Sequence, residues 1–454
     1  MKTDTKFKML TKSKIPGVIL LVLIFALGIW LRTYHLPTRY GFGWDQQDDA
    51  VKVMGIISGK GLTLIGPRVS GPDSFFVSPW HYYFLVPFYW LGIGNPSSGE
   101  MASLFVGIVT IGIYYLTAKK LWGRNAGLLA AWGSSLAYSI VCWNVMYTPA
   151  LTALVFYLGS RMFDEKKYIL PAIVLAFFAG TVHLVSATLL ILIFVGILLI
   201  KKQVNWKVVL AGLLIGSISI LPLVLFDFRH NFLNFKKIIE FVGIQGNHVG
   251  NFFNFSAWET YFKGFALIFG SSISKTVYIL ERIMMWGIVL YGIFLEKIRG
   301  KKIWYMVWFV LPALILLFYH NNIPEYYFGV SVALFPFFLA KSIFDKKELT
   351  VIIVFLLLMT CLQVRNVLSD ITLPSLSDKE AIVDYMIQYS NGRKFNFSYN
   401  VPFGDEVGYA YLFSWRKVEP QTTNDARLYT LIDLPEKAGE RVIYRRGDLG
   451  IVER

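Results

Sequence analysis

The sequence predicts a mainly α, polytopic membrane protein. It should have about 11 transmembrane helices, a large first external loop carrying juxtamembrane helices, and a small external α/β domain at the C-terminus. Three observations carry that reading. Of 454 residues, 55% are hydrophobic and mean hydropathy is +0.53, too apolar for a soluble chain of this length. Apolar runs near the roughly 20 residues a span requires recur along the chain. Basic residues cluster in every second connection between them, the pattern of loops held on the cytoplasmic side. The net charge of +15 therefore reports membrane orientation, and no nucleic-acid partner is expected.

The apolar runs lie at 16–31, 100–118, 126–143, 148–162, 168–183, 184–200, 207–225, 276–295, 303–319, 327–342 and 349–364. Lys6, Lys8, Lys12 and Lys14 precede the first, which reads as an uncleaved span because no small-residue cleavage site follows it. Lys119, Lys120 and Arg124 follow the second run, Lys166 and Lys167 the fourth, and Lys201, Lys202 and Lys207 the sixth. Lys297, Arg299, Lys301 and Lys302 follow the eighth, and Lys346 and Lys347 the tenth. This alternation places the N-terminus in the cytoplasm and residues 33–99 outside, in one loop. The aromatic segment 79–93, "PWHYYFLVPFYWLGI", is too short for a comfortable span and would invert the later loops if it crossed. It is expected to lie at the headgroup boundary.

From about 365 the composition changes to mixed charge with few long apolar runs. "SLSDKEAIVDYMIQYSNG" predicts a helix, with Ser377 and Glu380 as a capping box and Gly392 as the stop. "KFNFSYNV", "RLYTLIDL" and "GDLGIVER" predict short strands. The expected organisation is a membrane domain, 1–364, and an external α/β domain, 365–454. Cys142 and Cys361 both lie in apolar runs without metal-ligand spacing, so neither a disulfide framework nor a zinc site is expected.

Candidate chemistry gathers at the external ends of the spans. Asp45, Asp48 and Asp49 fall within five positions just beyond the first span, and the same loop holds Arg68 and His81. Asn144, His183, the trio Asp227, Arg229 and His230, and the pair His320 and Glu325 sit at successive outer turns. Span centres are nearly free of ionisable groups, which favours a site at the outer interface over a path through the bilayer. A carboxylate beside an apolar surface suits a general base, and an arginine suits a phosphate. That pairing fits attack by a hydroxyl on a sugar carried by a lipid phosphate. Ordinary structural roles stand beside these: Asp45 as the N-cap of a helix running to Ser58, Arg68 and Arg229 as interfacial anchors, and His81 and His183 as interfacial histidines. Asn144 is expected to start the helix ahead of Pro149. Three neighbouring carboxylates could also draw Mg²⁺ or Mn²⁺.

The stretches "WDQQDDA", "LTLIGPRVSG", "SPWHYYFLVPFYWLG", "WNVMYTPAL" and "FDFRHNF" resemble the GT-C class of membrane glycosyltransferases, in the protein O-mannosyltransferase and aminoarabinose-transferase branch. The resemblance covers most of the membrane part through short motifs. It implies a catalytic base shortly after the first span, which Asp45 matches by position. It implies a juxtamembrane helix matched by Pro79 to Tyr83, and a polyprenyl-phosphate sugar as donor. The family more often has Asp-Glu where this chain has Asp45-Gln46, so Asp48 and Asp49 stay open as alternatives for the base. The resulting expectation is an inverting glycosyltransferase of the plasma membrane, acting at its outer face on a glycan, lipid or protein acceptor. A flippase for a lipid-linked glycan and a non-catalytic membrane scaffold are the alternatives.

Overall fold

The structure is a computed structural model that describes residues 15–69, 74–137, 141–246, 259–261, 275–317, 324–343, 349–421, 427–434 and 441–453. The first lysine cluster, His320, and Lys346 with Lys347 lie outside the described residues.

Each of the eleven apolar runs holds a helix. After α1 (Ile15–Thr33) the following loop contributes α2 (Trp44–Ile57) and α3 (Trp80–Leu91). The chain then builds a bundle from α4 (Ser98–Trp122), α5 (Arg124–Leu136), α6 (Thr148–Met162), α7 (Ile169–Val182) and α8 (Thr188–Leu199). It continues with α9 (Trp206–Ser217), α10 (Leu221–Arg229), α11 (Leu233–Gly246), α12 (Lys275–Phe294) and α13 (Arg299–Leu316). The last two helices before the C-terminal segment are α14 (Phe335–Ile343) and α15 (Leu349–Ser369). Among the described residues, four segments are individually long and apolar enough to cross a bilayer: Pro16–Thr33, Ser98–Trp122, Trp206–Arg229 and Tyr326–Ile343.

Helices α4 and α5 form a tight hairpin, with α1 and α14 packed on α5. Small residues set the spacing. A Cβ on Gly127 would come within 2.8 Å of the Tyr115 carbonyl oxygen, so only glycine lets the two backbones approach this closely. Trp304, Trp308, Tyr305, Phe156 and Phe338 fill the centre of the bundle, with Phe156 stacked on Trp304 at 5.8 Å.

A second hydrophobic core, the outer core, lies over one end of the bundle. It joins Tyr40, Phe42, Ala50 and Val53 of the first loop, Tyr82, Leu85 and Tyr89 of α3, and the C-terminal segment's Leu376, Ile382, Tyr411 and Leu431. The C-terminal segment therefore buries its apolar face against the loop that follows α1.

That segment begins with α16 (Leu376–Ser390) and continues through β1 (Phe395–Asn400), α17 (Tyr409–Trp415), β2 (Arg427–Asp433), β3 (Val442–Arg446) and β4 (Leu449–Glu453). The sheet order is β1-β2-β4-β3, parallel between β1 and β2 and antiparallel elsewhere. The three expected strands are present; β3 and α17 are additions. The expected cap of α16 shifts by two residues: Ser375 is the N-cap, its hydroxyl accepting from the Asp378 N–H at 3.2 Å.

Candidate functional site at the first external loop

Helix α2 opens at Gly43, which corrects the expectation of Asp45 as N-cap. Gly43 has no side chain to offer the first turn, and Gln46 compensates: its Oε1 accepts the Gly43 N–H at 3.0 Å. The same amide donates through Nε2 to the Cys142 carbonyl at 2.8 Å, tying α2 to the turn after α5. An ionised glutamate at 46 could accept but not donate, so both bonds together require the amide.

With the cap supplied by Gln46, the three aspartates are free for other work. They diverge sharply in environment. Asp49 points into the protein, its side chain 4% exposed, and meets His81, whose side chain is 0% exposed, at 2.8 Å between Oδ2 and Nε2. His81 Nδ1 lies 2.9 Å from the Tyr147 hydroxyl. With Asp49 ionised and the imidazole neutral, Nε2–H donates to the carboxylate and Nδ1 accepts from Tyr147. The expectation of an interfacial His81 is thus replaced by a buried carboxylate–imidazole–phenol chain spanning α2, α3 and the short helix Asn144–Tyr147.

Asp45, one helical turn before Asp49, stays open at the surface and makes no hydrogen bond or ion pair among the described residues. Desolvation by the surrounding protein raises its carboxyl above the usual carboxylate range, Asp49 and Asp48 push the same way, and His81 opposes. Asp48 is raised as well, by desolvation and then by Asp49, with Lys52 and Arg68 pulling it back. A basic, accessible, unpaired carboxylate beside a buried, hydrogen-bonded pair is what a general base requires.

Cys142 Sγ joins the cluster: the ligand atoms of Asp49, His81 and Cys142 all lie within 4.8 Å of one another. This is the group among the described residues that could hold a metal. A nitrogen, a sulfur and one carboxylate suit zinc better than the Mg²⁺ or Mn²⁺ that the aspartates alone suggested. Sequence spacing gave no hint of it, since the three donors are 32 and 61 residues apart.

The other expected site residues separate into two groups. Arg68 bridges Phe76 across a short antiparallel pair and lies over its ring at 4.9 Å from the centroid. Phe76 is gripped by Asn234, whose Oδ1 accepts the Phe76 N–H at 2.7 Å, while Asp227 Oδ1 accepts the Asn234 N–H at 2.7 Å. Arg68 and the Asp227 turn are thereby tied together. Arg229 and His230 are exposed on that turn, with His230 stacked on Phe226 at 4.1 Å and its Nδ1 2.8 Å from the Phe226 carbonyl oxygen.

In the second group, Asn144 begins a 3₁₀ turn ahead of α6 and donates to the Val182 carbonyl at 3.0 Å. That bond fixes the turn bearing His183, whose ring faces Tyr326 at 6.3 Å. Tyr326 also meets Trp143 at 4.6 Å. Glu325 opens the short helix Glu325–Phe328, and its side chain lies outside the described residues. Next to this group an apolar cavity of about 240 Å³ opens between α4, α5 and the Trp143–Pro149 turn. Arg32 is on its wall, donating to the Gly28, Ser134, Ser135 and Ala137 carbonyls. Sequence reading missed this buried arginine; its place in the last turn of α1, directly after the first apolar run, was the available signal.

No family model and no curated relative matches the chain. Solved structures do. ArnT from Cupriavidus metallidurans bound to undecaprenyl phosphate aligns at TM-score 0.60 and 14% identity, over 97% of this chain and 98% of that one. Its apo state aligns at TM-score 0.60 and 15% identity over the same shares. The Archaeoglobus fulgidus oligosaccharyltransferase AglB, in complex with an inhibitory peptide and a dolichol-phosphate, aligns at TM-score 0.53 and 12% identity, over 92% of this chain and 69% of that one. The same archaeal enzyme with zinc and sulfate aligns at TM-score 0.53 and 13% identity, over 88% of this chain and 62% of that one. Both neighbours are GT-C glycosyltransferases, and the fold of this chain is theirs.

Proposed function

We propose that the protein is a glycosyltransferase that moves a sugar from a polyprenyl phosphate to an acceptor hydroxyl at the outer face of the plasma membrane, with inversion and with Asp45 as general base. The observation that carries the reading is the unpaired, raised Asp45 carboxylate on a helix capped without it, one turn from the buried Asp49–His81 pair. The undecaprenyl phosphate and dolichol-phosphate bound by the two neighbours support a lipid-phosphate donor.

Asp45 takes the proton of the acceptor hydroxyl as its oxygen attacks the anomeric carbon. The bond from that carbon to the phosphate oxygen breaks, and the electron pair leaves on the polyprenyl phosphate. Arg68, which together with Lys52 pulls the Asp48 carboxyl down, is a guanidinium suited to phosphate, and it would receive that charge. Arg229, on the turn tied to Arg68, would add to it. Asp48 and Asp49 orient the groups around the base. A divalent ion, if bound, would be held by Asp49, His81 and Cys142 and would supply positive charge beside the leaving phosphate.

The test is transfer of radiolabelled sugar from a panel of polyprenyl-phosphate donors in membranes expressing the chain. Asp45→Asn should abolish transfer at unchanged protein level. Transfer surviving that substitution would move the base to Asp48 or Asp49, and no transfer from any donor would sink the reading.

A further inference from the structure

Two large aromatic side chains stand in the open next to the proposed base. Trp44, adjacent to Asp45 in the first turn of α2, is 49% exposed, and Phe403, in the loop between β1 and α17, is 90% exposed. Their rings lie 5.9 Å apart at 35°, one from each end of the chain. Neither the membrane bundle nor the outer core uses either ring, and the Trp44 indole N–H has no partner among the described residues.

We propose that Trp44 and Phe403 form a shelf for a sugar ring of the acceptor, so that the acceptor is a glycan. This rests on the transferase reading for its role, though not for its existence. The apolar C–H face of a pyranose packs on the negative face of an aromatic ring, and exposed indole and phenyl faces side by side supply such a surface. The free indole N–H beside the rings is a donor that a sugar hydroxyl can use.

The shelf is held in place. Gly408 N–H donates to Gln47 Oε1 at 2.9 Å, and the buried Lys379 ammonium donates to the carbonyls of Phe42 at 3.0 Å and Val407 at 2.7 Å. These bonds lock the Phe403 loop to the start of α2, so a sugar on the shelf sits beside Asp45 without ordering the loop first. An interfacial tryptophan could instead dip into headgroups. The exposed carboxylates of Asp45 and Asp48, on the same helix as Trp44, make this patch a poor neighbour for an anionic leaflet.

Saturation-transfer NMR on the full-length protein in nanodiscs decides the matter, using methyl α-mannoside, methyl β-galactoside, maltotriose and chitotriose as probes. At least one probe should show ring-proton saturation in wild type and in Asp45→Asn. That signal should fall several-fold in Trp44→Ala and Phe403→Ala and persist in Leu62→Ala, an exposed residue of the same loop. No saturation in wild type, or equal saturation in Phe403→Ala, overturns the proposal. So does a spin label at Phe403→Cys that collides with oxygen in preference to a water-soluble nickel chelate, since that places the ring in lipid. A failed transfer assay with saturation intact removes the transferase reading and leaves the shelf standing.

Discussion

Two aspartates one helical turn apart end in opposite situations, and the difference is chemical as well as spatial. Asp49 gains a partner in His81, while Asp45 keeps none and sits in the field of Asp48 and Asp49. The groups facing Asp45 are Asp48 and Asp49 on its own helix and His81 from α3. Because Asp49 raises Asp45, Asp49→Asn should lower the Asp45 pKa and move the acidic limb of the kcat/KM profile to lower pH. A purely structural Asp49 would lower the rate and leave the limb where it was. The same elevation acts on stability. A carboxyl raised by folding binds its proton more tightly in the native state, so its contribution is present at low pH and is lost as pH rises through the raised value. Asp45→Asn should therefore raise the melting temperature at pH 7 while abolishing transfer; a lower one would mean that Asp45 carries structure. The carboxylates were legible in the sequence because three acids within five positions beside a span have few structural uses. The partners of Asp49 were not, because His81 sits in a segment whose Trp and Tyr content signals the headgroup boundary, and Cys142 comes from a distant run.

Helix α2 is the element on which the site depends, and its order rests on Gln46. One amide serves the helix cap and the inter-element tie at once, so Gln46→Glu should cost about 1–3 kcal/mol by leaving the Cys142 carbonyl facing a carboxylate. Thermal unfolding in detergent measures this; an unchanged midpoint would show that the tie carries no weight. The other side of α2 is held by Gly408, at φ 99°, where an added Cβ would stand 2.8 Å from the Phe42 carbonyl oxygen. Gly408→Ala should cost roughly 1–2 kcal/mol from the left-handed backbone alone, and it should push the Phe403 loop off α2, raising acceptor KM more than donor KM. Helix positions were readable because the apolar runs are long, whereas caps were ambiguous. In the C-terminal helix two Ser-x-x-acid patterns overlap, Ser375 to Asp378 and Ser377 to Glu380, and only the packing of Leu376 into the outer core selects the first. β3 escaped because its "VIYRR" ends in two arginines that break the alternation, and α17 because seven residues flanked by a loop glycine leave little periodicity.

For the whole molecule, the decisive fact is that the C-terminal segment and the first external loop share a core. Besides Lys379 and Gly408, the Leu376 N–H donates to the Tyr40 carbonyl at 2.8 Å and the Tyr411 hydroxyl donates to the Gly94 carbonyl at 2.6 Å. Two segments bonded this way must lie on one side of the bilayer. The number of crossings between Gly94 and Leu376 is therefore even, a constraint that the apolar runs alone could not impose. Ten crossings, as the basic clusters imply, satisfy it, and so would fewer if the shorter helices do not span. The lysine pattern supplies the direction to be tested: it predicts both segments outside and Lys119, Lys167 and Lys301 inside. Single cysteines placed at Ser58 and Asn391 in a chain lacking Cys142 and Cys361 should both react with a membrane-impermeant maleimide added to intact cells, while a cysteine at Lys167 should react only after lysis. Labelling of Ser58→Cys without Asn391→Cys would contradict the shared core. Labelling of Lys167→Cys in intact cells would invert the molecule and place Asp45 in the cytoplasm, where a donor presented at the outer leaflet could not reach it.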